Sequence, residues 1–209
     1  GFNLDLQTAT GQAFNWLNYF APSLAMLFLM FVATGGGRTI IAEMQEGTLP
    51  RLLVSPTPQP VILLGKMTGA MVTGALQVFI LWGATSLVGA RWGDPLPVTL
   101  SILVLVFCTS GLGALIAAVA RTTVQANMMG ALVALVAAAL SGTFSPRANL
   151  PAWSRWVSLS TPNGWGLELF TRMQAGAGLS ELWPWVGGVL LLSCLYYGLA
   201  LWLLQRRFK

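Results

Sequence analysis

Apolar residues fill five blocks of this chain, at 20–37, 66–89, 97–120, 124–143 and 183–204, and short segments rich in Gly, Pro, Thr and charge separate them. A helix rises about 1.5 Å per residue, so crossing roughly 30 Å of hydrocarbon takes about 17–25 predominantly apolar residues. Each block meets that length. The pattern predicts an all-α, polytopic membrane protein with about five transmembrane helices. Residues 1–19 then form the end of an external segment, and residues 20–209 form the transmembrane domain.

The polar breaks predict what lies between the spans. After the first block, Thr39 to Met44 continue the helix beyond the membrane surface. Gly47 then breaks the chain, Thr48 can cap, Pro50 suits a first helical turn, and Ser55-Pro56 ends the segment. A short cytoplasmic surface helix is expected within 43–56. Leu49, Leu52 and Leu53 form its apolar ridge, with Glu43, Glu46 and Arg51 supplying charge beside it. Residues 121–125 allow only a tight turn. The longest break, 145–181, carries Leu150-Pro151-Ala152-Trp153, Trp156 and Thr161-Pro162-Asn163-Gly164-Trp165. It predicts two short, partly inserted helices at the outer interface that start near Pro151 and Pro162, with Glu168 on a solvated face.

Composition strengthens the membrane reading. The chain is 56% hydrophobic and 8% charged, with mean hydropathy +0.72, whereas soluble domains carry about 25% charged residues. Its net charge of +5 comes from residues scattered at span ends, not from a basic stripe, so nucleic acid is not an expected partner. These charges orient the chain instead. With the C-terminal tail in the cytoplasm, Arg38, Arg51, Lys66, Arg121, Arg206, Arg207 and Lys209 are inside, while Arg91, Arg147, Arg155 and Arg172 are outside. Trp16, Trp92, Trp153, Trp156, Trp165, Trp183 and Trp185 fall near the outer boundary, where indoles favour the interface. The C-terminus is expected in the cytoplasm and the N-terminal end outside.

The residue inventory excludes most chemistry. There is no His, which removes Ser-His nucleophiles and His-containing metal motifs, and the six carboxylates are scattered over both faces. No catalytic, cofactor-binding or metal-ligating residue is assigned. Gly35-Gly36-Gly37 follows no strand and precedes no Lys-Ser/Thr, so it is read as a helix-packing surface, not a phosphate cradle. Gly65, Gly69 and Thr73 recur every four residues and Gln77 continues the stripe, which predicts a tightly packed helix face with Gln77 in an interhelical hydrogen bond or on a substrate path. Cys108 and Cys194 lie in apolar blocks and are read as small hydrophobes. The spans hold no acidic ring or Arg series, which argues against an autonomous channel or proton-driven carrier.

Taken together, the 43–56 segment, the Leu64-Gly65-Lys66 entry into the next span, and the Leu150-Pro151-Ala152-Trp153 and Thr161-Pro162-Asn163-Gly164-Trp165 breaks resemble the type-2 permeases of ABC transporters, mainly exporters. The resemblance covers the chain from about Tyr19 onward. It implies a membrane-spanning subunit that is not itself an enzyme and binds no cofactor. ATP and Mg would sit on a partner ATPase subunit. Members of this family usually have six spans with a large external domain between the first two, so the first span and that domain are expected to be missing here. The resemblance further implies that the 43–56 segment contains a coupling helix resting in a groove of the ATPase, with Glu43, Glu46, Gly47, Leu49 and Arg51 as its contacts. A second permease, identical or homologous, would complete the path, walled by the first, second and fourth spans. Gly65, Gly69, Thr73 and Gln77 would serve packing or that path, while the resemblance makes 145–181 an outer re-entrant helical hairpin, built with Trp153, Pro162, Asn163, Trp165 and Glu168. The expected setting is the inner cell membrane, with lipid around the chain and hydrophobic or amphipathic cargo such as a drug, lipid or lipid-linked compound. The alternative is a non-transporting docking or regulatory subunit for a soluble ATPase.

Overall fold

A computed structural model of the protein describes residues 16–47 and 57–207. These residues form seven α-helices: α1 (Trp16–Gln45), α2 (Gln59–Leu87), α3 (Pro95–Val119), α4 (Thr123–Ser141), α5 (Ala152–Ser158), α6 (Pro162–Gln174) and α7 (Leu179–Arg207), with a 3-10 turn at Arg147–Asn149 before α5. Helices α1, α2, α3, α4 and α7 are long and apolar enough to cross a membrane. No strand occurs among the described residues. The protein is an all-α polytopic membrane protein, as the apolar pattern predicts.

Helix ends follow local chemistry. Helix α1 runs eight residues past its apolar block and stops where Gly47 takes φ +72, a left-handed conformation that costs glycine nothing sterically. Pro95 and Pro162 open α3 and α6, where a missing N–H leaves no helical bond unmade. Helix α4 starts with a reciprocal cap. The Gln125 amide N–H donates to Thr122 Oγ1 at 3.1 Å, and the Gln125 side chain accepts from the Arg121 amide at 2.8 Å. Thr161 caps α6 through the Gly164 N–H at 3.5 Å.

The five long helices alternate in direction. The start of α1, the α2–α3 connection and the hairpin therefore share one end of the bundle, and the end of α1 and the start of α2 share the other with the α3–α4 turn and the C-terminal turns of α7. Helix α1 packs against α2, α3, α4 and α6, while α3 and α7 form a second long contact. Of its apolar stretch, α3 has 72% buried against 11% for α2. Helix α3 is thus the enclosed strut, and α2 lies on the periphery with most of its surface unmatched within the chain.

Two details at the hairpin end tie elements together. Pro22 lies inside α1 and has no N–H, so the Asn18 carbonyl four residues earlier lacks its usual helical donor. The Gln174 side chain supplies one at 2.7 Å. Trp92, expected near the outer boundary, lies in the α2–α3 connection at that end but is buried, 2% exposed. Its indole N–H donates to Thr85 Oγ1 at 3.0 Å and its ring meets Phe170 edge-on at 5.2 Å. With its one polar atom satisfied within the chain, this indole needs no water or head group as a partner.

Candidate functional site

At one end of the bundle the last turn of α1 meets the first turns of α2. Lys66 on α2 places Nζ 2.5 Å from Glu43 Oε2 and 2.6 Å from Oε1, with the two side chains 27% and 28% exposed. This ion pair braces the two helices that flank residues 48–56. Glu43, read from sequence as a contact for another protein, is therefore engaged inside the chain. Glu46 is exposed and Gly47 half-buried. Leu49 and Arg51 lie outside the described residues, as does most of the predicted surface helix.

Just inside this end, α1 is gripped on three sides through small residues. A Cβ on Gly113 of α3 would collide with the Ala33 carbonyl of α1, and one on Gly37 would sit 2.7 Å from the Gly113 carbonyl and 2.9 Å from Ala117 Cβ. A Cβ on Gly36 would overlap Ala70 of α2, and one on Gly130 of α4 would fall 2.7 Å from Thr34. Backbones approach this closely only where side chains are absent. Gly36 and Gly37 thus have the packing role read from the glycine run, although Gly35 meets nothing within 4 Å. A tightly interlocked helix cannot yield locally, so displacement of its end moves its neighbours.

The stripe Gly65, Gly69 and Thr73 does not have the expected packing role within the chain. Cβ atoms on Gly65 and Gly69 would meet open space, Thr73 bonds only back to the Gly69 carbonyl at 2.9 Å, and all three are exposed. The face of α2 turned to α1 carries Met67, Ala70 and Gly74 instead, with Gly74 against Leu29. Among the described residues, Gln77 forms no interhelical hydrogen bond. It lines an open, largely apolar groove of about 670 Å³ with Thr73, Leu76, Ile80, Leu81 and Ala84. Helices α1 and α4 also leave apolar stripes uncovered, at Leu24, Phe28 and Phe31, and at Met128, Leu132 and Leu135.

At the opposite end, the hairpin closes on a buried polar knot. Asn163 on α6 is fully buried and donates its side-chain N–H groups to Ser141 Oγ at 2.6 Å and Thr143 Oγ1 at 3.0 Å. Trp165 donates to the Leu159 carbonyl at 2.5 Å and packs edge-on against Trp185 of α7 at 5.6 Å. Tyr19 of α1 donates to the Gly142 carbonyl at 2.5 Å. Trp153 remains 60% exposed, as suits an interfacial indole, and Pro162 starts its helix as expected. Glu168 corrects the sequence reading. Its side chain is only 18% exposed and is held between Arg147 at 2.7 Å and Arg172 at 2.8 Å. Burying a lone carboxylate is costly, and two guanidinium groups offset that cost. Burial also lowers the Arg147 pKa, while the Glu168 carboxylate opposes the shift.

Sequence reading missed Lys66, Arg147 and Arg172 as partners, yet Glu168 and Arg172 stand four apart on one helix. That spacing alone is a recognisable pairing signal. Gly113 lies in a run of small residues, 109–114, that suits close helix packing, but its partner Ala33 is set only when α1 and α3 pack.

The architecture has counterparts. A family model described as ABC-2 family transporter protein matches residues 2–203. The chain is 27% identical to the linearmycin resistance permease protein LnrN of Bacillus subtilis over 78% of its length, and 29% identical to the probable multidrug ABC transporter permease YbhR of Escherichia coli over 69%. It is 26% identical to the inner membrane transport permease YhhJ of Escherichia coli over 71%. These alignments span 43%, 43% and 41% of the relatives' own lengths. Five apolar helices, a pair of helix ends braced by an ion pair at one end, a broken helical hairpin at the other and a family match over nearly every residue give one conclusion: the chain belongs to the ABC-2 family of transporter proteins.

Proposed function

We propose that this chain is the membrane-spanning permease subunit of an ATP-driven exporter for hydrophobic or amphipathic compounds. ATP and Mg bind a separate ATPase subunit, which grips residues 43–56 in the cytoplasm, and a second permease copy or homologue completes the transport path. The C-terminus is then cytoplasmic and the hairpin external. The observation that carries this reading is the Glu43–Lys66 brace, 2.5 Å across, directly below the packed Gly36–Gly37 segment of α1. Force applied between α1 and α2 enters a helix that contacts four others. A pair of rigidly joined spans passes such a displacement on as a rigid-body motion.

The cargo class rests on the uncovered apolar surfaces of α1, α2 and α4 together with the names of the relatives, one a linearmycin resistance permease and another a probable multidrug permease. The groove beside Gln77 offers a mostly apolar wall with one amide, a composition suited to amphipathic molecules. Within a bilayer that amide needs a partner, which a second subunit or a cargo molecule would supply.

Co-reconstitution with its ATPase tests the proposal. ATP-dependent movement of an amphipathic dye across vesicles is expected, and Glu46→Ala or Arg51→Ala should lower the stimulation of ATPase activity without unfolding the permease. ATPase binding with no movement of any amphipathic probe would favour a docking subunit instead, and labelling that places residues 43–56 outside the cell would overturn both readings.

A further inference from the structure

Three guanidinium groups surround one carboxylate at the hairpin end. Arg147, Arg155, Arg172 and Glu168 line a cavity of about 300 Å³, together with the indoles of Trp156 and Trp185. The positive charges exceed the negative by two. Both Glu168 oxygens are already engaged, one by Arg147 Nη1 at 2.7 Å and the other by Arg172 Nε at 2.9 Å and Nη2 at 2.8 Å. No carboxylate remains for Arg155, which forms no ion pair among the described residues. The Arg147 Nε–H is buried without a hydrogen-bond partner.

We propose that this cavity binds a phosphate group, and that the phosphate is the head of a phospholipid from the surrounding bilayer. Guanidinium forks match phosphate oxygens in geometry as well as charge, and Arg155, with no carboxylate of its own, brings its donors to this cavity. The volume is at the small end for ligand sites, about 300–1,000 Å³, which fits a head group and not a whole lipid. The indoles give the apolar remainder a wall: Trp185 already stacks under Arg172 at 4.1 Å, and Trp156 is 77% exposed at the rim. Trp153, also largely exposed on α5, adds to a tryptophan cluster of the sort that settles at head-group depth, which favours a lipid over phosphate from solution.

Native mass spectrometry of the purified chain reads lipid binding directly and needs no ATPase, so the result is independent of the transport proposal. Phosphatidylglycerol, phosphatidylcholine and inorganic phosphate are titrated separately. Phosphatidylglycerol is expected to bind most tightly. Arg155→Gln, which disturbs no internal ion pair, should weaken it about ten-fold through loss of a charge-assisted contact, and Arg155→Lys should recover part of the loss. Ala152→Phe, which adds bulk to the cavity lining without removing charge, should weaken binding as well. Inorganic phosphate that binds as tightly as the lipid, and is lost in Arg155→Gln, would support the phosphate site and assign its source to solution. Equal phosphatidylglycerol retention by the parent chain, Arg155→Gln and Ala152→Phe would overturn the site.

Discussion

Replacing Gly113 by alanine tests the interlock between α1 and α3 with a single methyl group. The new Cβ would fall on the Ala33 carbonyl and lie 3.5 Å from Thr34 Cα. Both obstacles are backbone, so no side-chain rotation relieves the clash and the helices must separate. Overpacking of this type costs about 1–3 kcal/mol, and the rigid obstacle places Gly113 at the upper end. Alanine returns about 1 kcal/mol through its better helix propensity, leaving a net loss of about 2 kcal/mol. For a chain of this size each kcal/mol shifts the midpoint by about 2–4 °C, so a fall of about 4–8 °C is expected. Gly69→Ala is the matched control. Its Cβ would meet open space, so only the propensity gain remains and the midpoint should rise slightly. The assay is the apparent melting midpoint in mild detergent, followed by tryptophan fluorescence. If Gly113→Ala melts at or above the parent temperature, alongside Gly69→Ala, the close approach of α1 and α3 is wrong.

Other predictions probe the two ends of the bundle. Glu43→Gln or Lys66→Met should change stability by no more than about 1 kcal/mol, since the pair is partly solvated, yet lower transport per ATP hydrolysed; the charge-swapped double variant Glu43→Lys/Lys66→Glu should restore the ratio in reconstituted vesicles. Asn163→Leu removes two buried hydrogen bonds and leaves the Ser141 and Thr143 hydroxyls without that donor, so a loss of about 2–4 kcal/mol is expected, read as a lower melting midpoint and faster proteolysis of the 142–161 region. Glu168→Gln strips Arg147 of its counter-charge at a site 12% exposed, with an expected cost of about 3 kcal/mol; a midpoint unchanged within 2–3 °C would show that water already neutralises this arginine.

How much of this was legible beforehand depended on whether the controlling physics was local. The five spans were readable because the bilayer demands a fixed length of apolar chain, and the hairpin helices because Pro151, Thr161 and Pro162 act on their own backbone neighbours. The packing face of α2 was not. In a lipid-exposed helix both sides are apolar, so periodicity loses its phase, and the Gly65, Gly69 and Thr73 stripe resembles the true contact at Met67, Ala70 and Gly74. The burial of Trp92 and of Glu168 was hidden for a related reason. Each is buried only because a remote element covers it, Phe170 in one case and Arg147 in the other, and neither distance along the chain signals the contact. The Glu43–Lys66 brace lay between these cases: its charges were visible, but their meeting depends on two helix ends 23 positions apart in the chain coming together.

The bond from Gln174 to the carbonyl that Pro22 leaves vacant reaches beyond a local repair. Helix α1 has 30 residues and therefore measures about 45 Å, with its lower part clasped by neighbouring helices and its upper tip hooked to α6. It acts as a tie-rod. In the proposed cycle the two mouths of the pathway would share one mechanical degree of freedom, so that opening below and sealing above are a single movement and need no separate latch to keep them in step.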